Sequence, residues 1–108
     1  MKNLLRHKIS LLTLVGVLLT QVTAMAISPK ALAQQKGCFA CHAIDHKVVG
    51  PAWKDVAAKY HHNLKYVQYL AKHIKYGNDG IWGPVPMPPQ NVTPEQAKEL
   101  AKFILSIH

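Results

Sequence analysis

The sequence has little cysteine, few acidic side chains and, beyond residue 26, no arginine. Its 108 residues include two cysteines and five acidic residues. The two cysteines, at positions 38 and 41, are only three residues apart. A disulfide between them would close a short loop and add little stability to a fold. Residues 27–108 carry ten lysines against five acids, a formal charge of +5. This charge favours an acidic partner, and no cluster of basic and aromatic residues accompanies it that would indicate nucleic-acid binding.

Alternating strand patterns and internal repeats are also missing from residues 27–108. Residues 78–91 contain four prolines and two glycines, which exclude a regular helix there. The sequence therefore predicts an all-α domain of about four helices with one long ordered loop. Caps and hydrophobic periodicity place the helices at Lys30–Lys36 after Ser28-Pro29, from near Trp53, from Asn63 to Gly77, and after Thr93, where Gln96 completes a capping box.

The first 26 residues have the order of a secretory signal. Three basic residues precede an apolar run from Ile9 to Leu19, and Ala24-Met25-Ala26 supplies a small-x-small cleavage site. We therefore expect residues 1–26 to be a signal peptide, residues 27–108 to form the domain, and the mature protein to reach the periplasm. A retained membrane anchor is the alternative, but the strongly apolar part is shorter than a bilayer span.

The segment G-C-F-A-C-H, residues 37–42, contains both cysteines and a histidine. On a helical turn, Cys38, Cys41 and His42 share one face, so two thiols can reach two porphyrin vinyl groups while the imidazole points at the iron. This is the C-x-x-C-H attachment motif of c-type haem. We expect one haem, bound covalently through Cys38 and Cys41, with His42 as an iron ligand. A domain this small buries a marginal core, which a cofactor would complete.

Three other interpretations of the two cysteines are weaker. A thioredoxin-type redox disulfide needs a βαβ context, which the sequence lacks. A structural zinc site needs a second pair of ligands at regular spacing, and no such pair occurs. A plain disulfide would close too short a loop to matter.

The second iron ligand is predicted to be Met87, the only methionine beyond residue 26. It lies in V-P-M-P-P, where three prolines restrict the backbone. Packing in the core is the alternative role for this side chain, and an open five-coordinate iron is another possibility. Histidine ligation would have to come from His46, which is too near the attachment turn, or from residues expected to be solvated, namely His61, His62, His73 and His108.

The chain resembles the short bacterial monohaem class I cytochromes c of denitrifying and hydrogen-oxidising bacteria. The resemblance is carried by K-G-C-F-A-C-H-A-I-D, V-G-P-A-W-K-D-V-A-A-K-Y, G-I-W-G-P-V-P-M-P-P and L-A-K-F-I-L-S-I. It implies a class I cytochrome c fold wrapped around one haem. It also implies that the Pro51 carbonyl accepts a hydrogen bond from His42, and that Trp82 binds a haem propionate.

The sequence departs from this family at three places. His73 stands where the family often has a cation near the propionates, so a propionate contact and a solvated side chain are both open. Phe103 stands where tryptophan is common. Gln90-Asn91 follows the methionine segment, where some members place an asparagine that bonds the ligand sulfur, and the sequence does not decide which amide does so.

Ligation by histidine and methionine fills both axial positions and favours one-electron chemistry. We therefore expect a soluble monomeric electron carrier rather than an enzyme. The resemblance implies shuttling between a quinol-oxidising complex and a terminal oxidase or nitrite reductase. The alternatives are a haem protein with a labile sixth ligand, acting as a peroxidase or gas binder, and a dedicated subunit of a larger enzyme.

Overall fold

A computed structural model describes residues 16–21 and 25–108, and four α-helices form its framework. They are α1 (Pro29–Gln35), α2 (Trp53–Lys59), α3 (Val67–Tyr76) and α4 (Pro94–Leu105). Single 3₁₀ turns lie at Cys38–Ala40 and Leu64–Tyr66. Within the described residues there is no β-strand, only two isolated bridges that join His42 to Lys47 and Asn78 to Met87. The predicted all-α architecture is confirmed.

Local capping explains where these helices begin. The Ser28 hydroxyl accepts a hydrogen bond from the Ala31 amide at 3.1 Å, and Pro29 follows at the first helical position, where a missing N–H costs nothing. At the start of α4, the Thr93 amide donates to the Gln96 side-chain oxygen at 3.0 Å, and the Gln96 amide donates to the Thr93 hydroxyl at 3.1 Å. This is the predicted capping box, and it satisfies two N–H groups that the helix leaves unpaired.

The third helix begins later than expected. The Asn63 side chain does cap the segment, accepting from the Lys65 amide at 2.9 Å. The first turn is 3₁₀, however, and α-helical geometry starts only at Val67. The end is as predicted, because Gly77 adopts a positive φ of 79°, which glycine accepts without strain.

The hydrophobic core lies where α1, α2 and α3 pack against α4. Leu32, Leu100 and Leu105 are the largest side chains that are fully buried. Trp53 joins this core, with Phe103 edge-on at a ring-centroid distance of 6.0 Å and Phe39 tilted at 5.0 Å. The phenyl ring at residue 103, where the family commonly has tryptophan, thus still packs against the core.

One histidine that was expected to be solvated is tied to the fold. His61 and His62 follow α2 with positive φ values of 55° and 53°, which ends the helix. The Nδ1 atom of half-buried His62 lies 3.2 Å from the Leu105 carbonyl oxygen, and its ring stacks on His108 at 4.2 Å. The prediction of a solvated side chain is therefore wrong for His62, because it joins the end of α2 to the end of α4.

The predicted signal peptide, residues 1–26, falls mainly on residues 1–15 and 22–24, which lie outside the described residues. Its cleavage stays a prediction. Among residues 16–21 and 25–108, no helix has the length and apolar character needed to cross a membrane.

A group of three tyrosines packs beside the core at the start of α3. The buried Tyr60 ring lies 5.0 Å from Tyr66 and 5.6 Å from Tyr69, measured between ring centroids. Burial raises the pKa of Tyr60 to about 12, and its neighbour Tyr69 adds to the shift. Ionising this hydroxyl is therefore harder in the folded protein than in the unfolded chain.

A pH dependence of stability follows from Tyr60. Because its folded pKa lies above the unfolded value of about 10, its contribution is fully present below that pH and is lost as pH rises towards about 12. Denaturant unfolding followed by circular dichroism should show wild type losing stability relative to Tyr60→Phe over this range. Tyr76→Phe, at an exposed ring, should show no such divergence. A constant difference between wild type and Tyr60→Phe would contradict the assignment.

Candidate functional site

The two cysteines and His42 lie on one tight turn. Gly37 enters it with a positive φ of 74°, and the amides of Cys41 and His42 both donate to the Cys38 carbonyl, at 3.2 and 3.0 Å. Both thiols are free, Cys38 half-buried and Cys41 exposed. Burial raises the pKa of the Cys38 thiol, because the charged thiolate is disfavoured away from water. The turn therefore presents the three groups of the motif from one short segment, as the spacing predicted.

The His42 ring is fixed by the segment that follows the turn. Its Nδ1 lies 2.8 Å from the Pro51 carbonyl oxygen. A carbonyl oxygen only accepts, so Nδ1 carries the proton and donates it, and Nε2 keeps its lone pair. The ring also packs against Trp53, with centroids 5.8 Å apart. This leaves Nε2 as the nitrogen that can bind a metal.

Gly50 is the residue that lets the backbone approach this ring. A β-carbon built on Gly50 would lie 2.5 Å from His42 Cε1 and 2.9 Å from Nδ1, closer than such atoms pack. Its amide also donates to the Cys41 carbonyl at 2.7 Å. The backbone of residues 49–51 thus lies directly against the imidazole, and only glycine fits at the point of contact.

All the predicted site residues line one open cavity. Among its walls are Cys38, Cys41, His42, Pro51, Trp82 and Met87. Of the histidines that the structure describes, only His42 and His73 line it, so His46, His61, His62 and His108 are not placed to ligate a metal there. Most of the remaining wall is apolar and comes from the segment before α2, from α2, α3 and α4, and from the proline-rich loop, at Val49, Trp53, Val56, Leu70, Ile74, Pro84, Val85, Pro86, Leu100 and Ile104.

Met87 reaches the cavity from the loop of residues 77–93, and backbone bonds hold it there. Its amide donates to the Asn78 carbonyl at 2.9 Å, and the Asn78 amide donates back to the Met87 carbonyl at 3.1 Å. A β-carbon on Gly77 would collide with the Met87 carbonyl oxygen, so glycine is required there as well. The pair of hydrogen bonds therefore joins the start of the loop, at Asn78, to the main chain of Met87.

The amide beside the Met87 sulfur is neither of the two that the resemblance brought into question. Asn78 Nδ2 lies 3.7 Å from the sulfur as a hydrogen-bond donor. Gln90 instead donates to the Pro88 carbonyl at 2.8 Å. Sequence reasoning missed Asn78 because it precedes the methionine by nine positions, and only its place just after the helix-ending Gly77 gave any signal.

Trp82 and His73 line the same cavity from different elements. Lys59 of α2 lies over the indole of Trp82, with Nζ 5.2 Å from the ring centroid, within the range of a cation–π contact. His73 packs edge-on against Tyr69 at 4.3 Å. His73 is thus partly buried on the cavity wall and packs on a neighbouring aromatic ring.

The donor set fits a covalently bound haem. Two free thiols lie on the turn that carries a histidine with one unoccupied ring nitrogen, and a thioether enters the same apolar cavity from another segment. Thiols, imidazole and thioether are the attachment and axial groups of c-type cytochromes. Within the described residues, no cluster of three or more side chains suggests a separate metal site.

Comparison with known proteins agrees with this chemistry. Residues 29–108 match the cytochrome c family. The chain is 53% identical to cytochrome c-551 of Pseudomonas aeruginosa over 91 residues, covering 84% of this chain and 86% of the relative. It is 54% identical to cytochrome c-552 of Hydrogenobacter thermophilus over 86 residues, covering 80% and 88%.

A solved structure shows the same fold. The crystal structure of wild-type Nitrosomonas europaea cytochrome c552 superposes with a TM-score of 0.70 at 49% identity, covering 73% of this chain and 99% of that one. The expected class I architecture is thereby confirmed. The chain therefore belongs to the cytochrome c family, as an all-α electron carrier with one covalently bound c-type haem and not an enzyme.

Proposed function

We propose that the chain is a periplasmic one-electron carrier whose haem is attached through Cys38 and Cys41 and ligated by His42 and Met87. The observation that carries this proposal is that His42 and Met87 line one apolar cavity, and that each is held by contacts that leave a lone pair of its ligating atom available. The haem would supply an iron that changes by one electron. Cys38 and Cys41 would attach it, His42 and Met87 would bind its iron, and the apolar lining would shield it from water.

The Pro51 carbonyl fixes both the tautomer and the direction of the His42 ring. A donated Nδ1 proton makes Nε2 a better electron donor and prevents the ring from rotating. The thioether bonds from the same turn would hold the porphyrin where this nitrogen points. The attachment turn and the Pro51 segment thus act together to keep one ligand in place.

The tethering of Met87 argues against a labile sixth position. Two backbone hydrogen bonds, the prolines on either side and the close packing of Gly77 all restrict the loop. These contacts resist any movement of the loop that would carry the thioether away from the cavity and open the site to peroxide or a gas. The geometry therefore favours electron transfer over the peroxidase or gas-binding alternative.

Encounter with a partner would take place on a basic surface beside the cavity. Lys47 is exposed and lines the cavity, while no carboxylate among the described residues does so. As a cytochrome c electron carrier the chain acts with redox partners. We propose an acidic docking face on a quinol-oxidising complex and on a terminal oxidase or nitrite reductase, with the mature carrier working as a monomer after signal cleavage.

The role of Met87 can be tested by replacing it with the stronger donor histidine. Methionine ligation favours Fe(II), so Met87→His should lower the midpoint potential while keeping a low-spin iron. It should also abolish the weak far-red band that methionine bound to Fe(III) produces. Asp79→Asn, at an exposed position of the same loop outside the cavity, is the control and should keep the band. An unchanged potential and band in Met87→His would mean that Met87 only fills space.

The role of Gly50 can be tested by adding a single methyl group. Gly50→Ala should push the His42 ring off the Pro51 carbonyl and destabilise the haem protein by about 1–3 kcal/mol, the usual cost of overpacking. The measurement is denaturant unfolding of the purified holoprotein. Val48→Ala, on the same segment but exposed, should cost little. If the two variants were equally stable, the close approach at Gly50 would not hold the imidazole.

The salt dependence of electron transfer tests the basic docking surface. Rates with an acidic partner protein should fall as ionic strength rises through about 0.15 M, where the screening length is about 8 Å. Lys47→Gln should lower the low-salt rate and flatten this dependence. The control Lys102→Gln, exposed on α4 and outside the cavity, should change both less. Rates that do not respond to salt would rule out charge-steered docking.

A further inference from the structure

Three contacts join Asn78 to Met87, and one of them reaches the sulfur. The two backbone hydrogen bonds, 2.9 and 3.1 Å long, set the position of the methionine main chain. The third runs from the Asn78 side-chain amide to the sulfur at 3.7 Å. Both side chains are half-buried, so water competes less for the amide than it would at the surface.

The chemistry of the two groups fixes which end of the Asn78 amide faces Met87. A thioether sulfur only accepts hydrogen bonds, and the amide oxygen does the same. The NH₂ end must therefore point at the sulfur. Aspartate in this position would offer no donor, so asparagine supplies something that its acidic isostere lacks.

No second amide competes for this contact in the described structure. Gln90 is the other amide side chain on the cavity wall, and its NH₂ group is bound to the Pro88 carbonyl at 2.8 Å. The loop also cannot shift easily towards Gln90, because Gly77 packs directly against the backbone of residues 87–89. Asn78 is therefore the donor that the fold places at the sulfur.

We infer that Asn78 is the positioning residue that orients the Met87 sulfur and raises the midpoint potential of the carrier. The inference rests on the proposed ligation by Met87. An N–H group directed at one sulfur lone pair leaves the other for the iron, which favours one configuration of the thioether. It also withdraws electron density from the sulfur, and a weaker donor favours Fe(II) over Fe(III).

The test compares Asn78→Ala with Gln90→Ala in the purified holoprotein. Removing the Asn78 side chain leaves both backbone bonds to Met87 in place, so the far-red band of methionine-bound Fe(III) should persist. The midpoint potential should fall. Imidazole should displace Met87 from the ferric protein about two- to tenfold more readily, the range expected from losing one hydrogen bond of ordinary net strength. Gln90→Ala should move both quantities less.

Failure of this inference can be told apart from failure of the proposed function. A wild-type protein without the far-red band would overturn methionine ligation, and the role of Asn78 with it. A wild-type protein with the band, whose potential and imidazole affinity match those of Asn78→Ala, would overturn the role of Asn78 alone. Asn78→Leu, close in shape but without a donor, repeats the test if the alanine variant does not fold. Loss of folding in both would show that Asn78 serves the fold and not the sulfur.

Discussion

The structure depends on one constraint: a domain of about 80 residues must surround an apolar cavity and still form a stable core. Several buried side chains serve both purposes, since Trp53, Leu70, Ile74 and Leu100 belong to the hydrophobic core and also line the cavity. A protein this small buries a marginal amount of apolar surface by itself. The covalently bound haem of the family therefore completes the interior that the helices begin, and folding and function share the same contacts.

The two segments that are proposed to supply the iron ligands are held rigid in different ways. His42 follows a short helical turn, and its ring is fixed by the Pro51 carbonyl and by packing against Trp53. Met87 lies in an irregular loop where no helix supplies hydrogen bonds, so prolines and the bridge to Asn78 restrict it instead. In both segments a glycine lets another stretch of backbone come close, Gly50 at the imidazole and Gly77 at the methionine carbonyl.

The features that could be predicted from the sequence are those encoded by neighbouring residues. The helix caps are formed within one turn of the helix they begin, by Ser28, Thr93 and Gln96. The attachment motif also lies on a single turn, which carries Cys38, Cys41 and His42. Asn78 was missed because its contact with Met87 exists only after a nine-residue separation closes into a loop. The hydrogen bond of His62 to Leu105, 43 positions away, was missed for the same reason. A single sequence carries no local sign of such contacts.

The arrangement around Met87 also suggests why this fold suits an electron carrier. Electron transfer is fast when the groups around the metal move little between the two oxidation states. If Met87 is the ligand proposed above, the contacts of this loop oppose such movement. The Asn78 bridge fixes the main chain of Met87, while the Asn78 amide acts on its sulfur. The backbone atoms of Asn78 thus set the position of Met87, while its side-chain amide sets the donor strength of the Met87 sulfur. The backbone bonds need no particular side chain, so residue 78 can vary and adjust the donor strength of the sulfur without releasing the loop.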